Sequence, residues 1–197
     1  MLMKKILIFS FLLTSCHLFA QDSLKTFNYS RNQITTTGMK VLGSWAVANI
    51  GVGAAGWANS KGGTNKYFYQ MTTIWGAANL GAALLGYTGT RNNGNQSSRA
   101  ADVLKAQKKI EKIFLINGGL DIAYIGTGIY LTHRGNSRNS DQLKGYGPAV
   151  IAQGVFLLLF DGTMYSTHRH EGNKLRQFLE KNPVTFNGKT VGLIYHL

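Results

Sequence analysis

The sequence contains one cysteine, Cys16, and it lies within the first twenty residues. Those residues read as a secretory signal peptide: Lys4 and Lys5, an unbroken apolar run from Ile6 to Leu13, then "LFA" before Gln21. Cleavage after Ala20 leaves a chain without cysteine. An exported protein of that kind has no disulfide staples, so packing or lipid must hold it together. Catalytic signatures are also missing. There is no HExxH, GxSxG or P-loop pattern, so no catalytic residue, metal ligand or cofactor is assigned, and an enzyme is not expected. "GVGAAG" (Gly51 to Gly56) spells GxGxxG, but no strand precedes it and the next acid is Asp102, too far away to bind a ribose.

Acidic charge is scarce as well: 8 Asp and Glu stand against 21 Lys and Arg, a net charge of +13 that falls to +11 without Lys4 and Lys5. The cations sit between apolar segments and not along one face, which argues against nucleic acid, as does export. "LTSC" (Leu13 to Cys16) resembles a lipoprotein lipobox, so a lipid on Cys16 is the alternative to cleavage. The next residues, "HLFAQ", are apolar where such a tether is polar.

The chain does have four segments nearly free of charge, at about 41–58, 68–87, 113–131 and 148–165. As helices they would be about 27–30 Å long, the thickness of a bilayer's hydrocarbon core. None shows the polar stripe of a soluble amphipathic helix. Tyr67, Tyr69, Tyr87, Tyr130, Tyr146 and Tyr165 stand at their ends, and Lys40, Lys66, Lys112, Arg134, Lys144 and Arg169 just outside them. Both are preferences of a membrane–water interface. The expected fold is all-α: a four-helix transmembrane bundle over residues 21–170, after a signal peptide at 1–20 and before a soluble tail at 171–197. An exported soluble bundle is the structural alternative.

Between the segments, "NSKGGTNK" predicts a tight helix link and "GTRNNGNQSS" a flexible loop. "HRGNSRNSDQLKGYGP" predicts a longer loop, with Pro148 opening the last helix. "SRAADVLKAQKKIEKIF", with Ser98 as its cap, predicts a basic amphipathic extension leading into the third span. The tail alternates around Asn187–Gly188, as in a small β-hairpin.

The first two spans repeat each other. Trp45, Asn49, Gly51 and Gly56 match Trp75, Asn79, Gly81 and Gly86 position for position. Successive spans are antiparallel, so the copies form a small inverted repeat, with small residues four apart offering grooves for close helix packing. Asn49 and Asn79 fall near mid-span and are expected to bond each other. Asp121 and Asp161 lie in the third and fourth spans, which hold no basic residue. They must be protonated or hydrogen-bonded, to Asn49, Asn79, Asn117 or Gln153, and are either functional groups or, as Asp161 is read first, neutral acids closing a polar core network. "YLTHR" and "YSTHRH" end these spans. His133, Arg134, His168 and Arg169 are expected as interfacial anchors or contacts to head-group phosphate.

With the repeat and "KYFYQM" (Lys66 to Met71), the chain resembles an uncharacterised family of small bacterial integral membrane proteins. That family enters its second span with "KYFHQM"-like residues, and Tyr69 stands here where its histidine is expected. The resemblance implies a four-helix membrane fold and no assigned activity, so no functional residue carries over. The reading is a non-enzymatic protein of the cell envelope, placed in the inner membrane. Its partners would be membrane lipids, anionic ones included, and a second copy or another membrane protein. A small transporter or proton-linked channel is the alternative. Orientation is contested. A cleaved signal peptide puts the termini outside, yet their side carries Lys25, Arg31, Lys40, six cations from Arg91 to Lys112 and five after Tyr165. The opposite loops hold only Lys61, Lys66, Arg134, Arg138 and Lys144, and the positive-inside rule prefers the reverse arrangement.

Overall fold

A computed structural model describes the backbone of residues 2–91, 99–182, 184–186 and 191–193, and the side chains of residues 23–91 and 99–182. Among the described residues the chain is built from four long helices: α1 (Leu2–Asn59), α2 (Gly63–Arg91), α3 (Ala100–Ser137) and α4 (Asp141–Lys181). The side chains of the expected signal peptide, the Ser98 cap and the Asn187–Gly188 turn lie outside the described residues.

The links are shorter than the sequence suggests. α1 and α2 are joined at residues 60–62, where Gly62 and Gly63 take positive φ values of 114° and 68° that a side chain would oppose. α3 and α4 are joined at residues 138–140, in place of the longer loop expected there. Asn139 adopts φ 48°, and the Ser140 hydroxyl caps α4 by accepting from the Leu143 N–H at 3.4 Å. Pro148 consequently lies inside α4 and does not open it. At its other end α4 continues to Lys181, so residues 171–181 are packed helix and not the start of a free tail.

Both pairs are antiparallel hairpins, and α4 is the central helix, packed against each of the other three. Only 17% of the most apolar stretch of α1 and of α3 is buried, against 44% in α4. Glycines set the close approaches. A Cβ on Gly128 would come within 2.6–2.8 Å of Ile151 and the Gly147 carbonyl, and one on Gly154 within 2.8–3.1 Å of Ile125 and the Asp121 carbonyl. In the first hairpin, a Cβ on Gly76 would come within 2.9–3.0 Å of Ile50 and the Ala46 carbonyl. The buried positions of α3 include residues 107, 114, 121, 128 and 135, and those of α4 include 147, 154, 161, 168 and 175. A sustained step of seven is the seam of two helices wound around each other with a left-handed supercoil.

Three helical stretches, Ser23–Asn59, Ala100–Ser137 and Asp141–Lys181, are long and apolar enough to cross a membrane. α2, its apolar run diluted by glycine, threonine and asparagine, is not among them. α3 and α4 contain 38 and 41 residues. At 1.5 Å per residue they are about 57 and 61 Å long, roughly twice a hydrocarbon core. The surplus of α1, α3 and α4 gathers on the side of the termini. There Leu24, Ala100, Val103, Leu175 and Leu179 form a second apolar core, with Phe27 tilted on Phe178 at 5.6 Å. The basic amphipathic extension expected for the third span is thus one wall of a three-helix layer.

Candidate functional site

Along the apolar runs the interior combines an apolar cluster, Met39, Leu42, Ala83, Phe114, Leu157, Phe160 and Met164, with buried polar groups. Asn49, Asn79, Gln153, Asp121 and Asp161 are all 7% exposed or less, whereas Val52, Leu85, Ile122 and Leu159 on the outside are 61–76% exposed. Three layers of buried polar groups succeed one another toward the termini.

The first layer joins the two copies of the repeat. Burial follows the repeat closely: residues 42, 46, 49 and 53 face inward on α1, and residues 72, 76, 79 and 83 on α2. The asparagines do not pair as expected. Gln153 of α4 stands between them, donating from Nε2 to Asn49 Oδ1 at 2.6 Å and accepting at Oε1 from Asn79 Nδ2 at 3.3 Å. The same oxygen accepts from Trp45 Nε1 at 3.0 Å, and Asn49 Nδ2 donates back to the Trp45 carbonyl at 2.8 Å. One amide with a carbonyl of two lone pairs can serve two donors, so a single α4 residue clamps both halves of the repeat. The Trp45 ring lies on Phe156 at 4.0 Å and 9°, and Trp75 meets Tyr124 edge-on at 4.9 Å.

The repeat's glycines divide. Gly56 lies against the Tyr69 ring and Gly86 against Met39, where an added Cβ would collide. Gly51 and Gly81 meet nothing within 4 Å and face outward, so the expected groove at those positions is corrected. Their spacing from Asn49 and Asn79 puts them on the far side of each helix. The contact falls instead on Gly53 and Gly76.

The second layer is the acid pair. Asp121 and Asp161 face each other within hydrogen-bonding reach, and Asn117 reaches Asp161. Asp121 is 2% exposed, and its Oδ2 has no hydrogen-bond partner. Both acids line a cavity of about 410 Å³ between α2 and α3, floored by α1 and α4.

The third layer lies beyond the apolar run of α4. His168 is completely buried, stacked on Phe114 at 5.4 Å and 14°. It therefore faces the bundle interior, where the sequence pattern suggests a head-group contact. Thr35 Oγ1 spends its proton on the Arg31 carbonyl at 3.0 Å, so its 3.3 Å contact with His168 Nε2 must be accepted from the ring. That assigns the Nε2–H tautomer and leaves Nδ1 buried without a partner. Burial first, and then the Arg31 cation, push the imidazole down to about 4.

Beside it, Gln107 Nε2 donates to the His168 carbonyl at 2.6 Å and to Glu111 Oε1 at 3.2 Å. Glu111, 5% exposed, receives Arg169 at 3.1 Å and Arg176 at 3.4 Å. Gly172 makes the room, since a Cβ there would collide with Glu111 Oε1. Arg169 is thus an ion-pair partner at the surface. At the opposite end of the bundle His133 is exposed and Arg134 half-exposed. Gln107, Glu111, Gly172 and Arg176 carry no motif. The seven-residue step through Gln107, Phe114, Asp121 and Gly128 is the signal that brings the first of them into the interior. Among the described residues no group of three metal-ligating side chains occurs.

No curated protein and no solved structure matches the chain. The matching family model begins at the first apolar segment and ends just past Asp161, so it takes in the amide layer and both acids but not the layer of His168. Residues 41–162, more than half of the chain, match the family of unknown function DUF6992, and the chain belongs to that family.

Proposed function

We propose that this is a non-enzymatic integral membrane protein of the bacterial cell envelope, exported by its signal peptide to the inner membrane, with a structural or partner-binding role. The observation that carries the reading is the apolar exterior of this half. Val52, Leu85, Ile122 and Leu159 face out there, while amides and acids are buried beside the apolar cluster of Met39, Leu42, Phe114 and Leu157. In water that exterior would aggregate, and in lipid it is the natural solvent-facing surface. Lys108, Lys112, Arg169 and Arg176, around a cavity of about 330 Å³ with Tyr165, form a basic collar at the end of the apolar runs. Anionic lipid head groups are its expected partners. The outward face bearing Gly51 and Gly81 is free to take a second copy or another membrane helix.

The test is fractionation with a carbonate wash, followed by flotation with vesicles. Retention in the membrane pellet is the expected outcome, and release into the wash would leave only the exported soluble bundle. A second reading, a proton-linked transporter, draws on the facing acids Asp121 and Asp161 at mid-depth. It requires a pH-dependent flux in liposomes that is lost in Asp121→Asn, and flux indifferent to that change would end it.

A further inference from the structure

We propose that the cleft between α2 and α3 binds a lipophilic amine, which enters sideways from the bilayer and sets its ammonium group against Asp121 and Asp161. The inference rests on the membrane reading above and deepens it by naming a ligand class. α2 and α3 belong to different hairpins and hardly pack on each other, and where they meet the contact is Trp75 on Tyr124. Below that contact the helices part, leaving the cavity of about 410 Å³, within the size range of small-molecule sites. Its rim is apolar and open. Ile113 and Leu120 of α3 line it and are 40% and 48% exposed, so the mouth faces the surface assigned to lipid.

The floor decides the ligand's charge. Asp121 and Asp161 both line the cavity, and Asp121, only 2% exposed, has a buried Oδ2 without a hydrogen-bond partner. No Lys, Arg or His is among the residues lining it. Carboxyls are therefore the groups that can charge this lining at neutral pH, and any charge they carry is negative, which a monocation balances and an anion would oppose. The walls agree with this. Phe114, Phe160, Trp75 and Tyr124 present rings whose faces attract cations, and Leu120 and Leu157 accept hydrocarbon. A fatty acid or phosphate is disfavoured by the charge, and a sugar by the apolar walls.

The test uses the full chain in nanodiscs of zwitterionic phosphatidylcholine, first shown to resist carbonate. Dicyclohexylcarbodiimide, which is lipid-soluble, should modify Asp121 or Asp161, as read by peptide mass spectrometry. The carboxyl O–H adds across its C=N bond and the adduct rearranges to an N-acylurea, with no leaving group. The probe is N,N-dimethyldodecylamine, with dodecanol as the chain-matched neutral control. The amine should slow the modification about tenfold and saturably, and the alcohol less than about twofold, as expected of a charge-assisted contact. The amine should also raise the melting temperature of the wild type but not of an Asp121→Asn, Asp161→Asn double variant.

Equal protection by amine and alcohol would mean that any hydrocarbon chain fills the cleft, and would overturn the proposal. So would carboxyls that the reagent cannot modify, or a melting-temperature rise that survives in the double variant. A chain that passes the carbonate test and fails these loses the amine site while keeping its membrane assignment.

Discussion

Near residues 100–107 and 172–179, α3 and α4 pack as a bundle in water would. Val103, Leu175 and Leu179 are 1% exposed, while Lys105, Lys108 and Lys109 face out. Farther along the same two helices the exterior changes. Leu120, Ile122 and Leu159 are outside, and Asp121, Gln153 and Asp161 are inside beside Phe114, Leu157 and Phe160. The backbone geometry and the seven-residue seam are continuous through both regions, so neither accounts for the change. On the proposed membrane reading, the difference lies in the surroundings each exterior is written for. Water rewards burial of leucine, whereas lipid is indifferent to it and leaves small-residue packing and polar contacts to hold helices together.

The largest expected effect tests the extension. Leu175→Ala should destabilise the protein by about 2–5 kcal/mol, because it empties a core whose driving force is aqueous. Thermal unfolding in a fixed detergent measures it. Leu159→Ala, at a position 68% exposed on the lipid side, should change stability little in the same assay. If the two losses are equal, the regions do not differ in the way described.

A charge on the outside tests the other half. Leu159→Lys would be harmless on a soluble surface, but near mid-membrane it should cost about 2.5–3.5 kcal/mol of insertion. Protease protection in isolated membranes reads this out, with Lys105→Ala in the extension as the variant expected to do nothing.

Proton linkage at His168 gives a comparable effect. A group pushed down to about 4 from an ordinary 6.5 binds its proton more readily when unfolded. Its contribution is therefore complete above pH 6.5, falls as pH drops through the interval and is lost below 4. The total is about 3 kcal/mol at 1.36 kcal/mol per unit. Melting temperatures from pH 7 to 4, compared with His168→Gln, should show a slope that the variant flattens. A variant with the wild-type slope would assign the effect to other groups.

The smallest effect belongs to the amide clamp. Gln153→Leu should cost about 1–2 kcal/mol, since interhelical polar contacts in membranes are modest. It should loosen α4 from both hairpin partners, whereas Asn49→Leu or Asn79→Leu should loosen one. Cysteine cross-linking between α1 and α4, and between α2 and α4, separates these outcomes.

Much of this organisation is legible in the sequence. The four charge-poor segments, the tight link before Gly63 and the inverted repeat of Trp45 to Gly56 and Trp75 to Gly86 are all found in the helices. Composition and spacing along the chain suffice for features of that kind. The site is less legible. The pattern puts Asn49 and Asn79 inside, as found, but names the wrong partner, because pairing depends on a third helix whose position no local pattern states. It assigns Gly51 and Gly81 to a packing groove because small residues recur at helical spacing on more than one face of α1 and α2. It groups His168 with the interfacial cations because "THR" recurs at two helix ends, although His133 is exposed and His168 is enclosed by Thr35, Gln107 and Phe114.

The sequence by itself determined that the chain is helical, that its apolar segments have the length of a bilayer, and that acids and amides fall within them. Hydrophobic length, helix period and charge are properties of neighbours along the chain. Only the tertiary structure decided that α4 is central, that Gln153 bridges both copies of the repeat, and that Asp121 meets Asp161 beside an open cleft. Those contacts join residues far apart in sequence, through close approaches at Gly128, Gly147 and Gly154. The rotation of each helix about its own axis chooses the polar group that finds a partner.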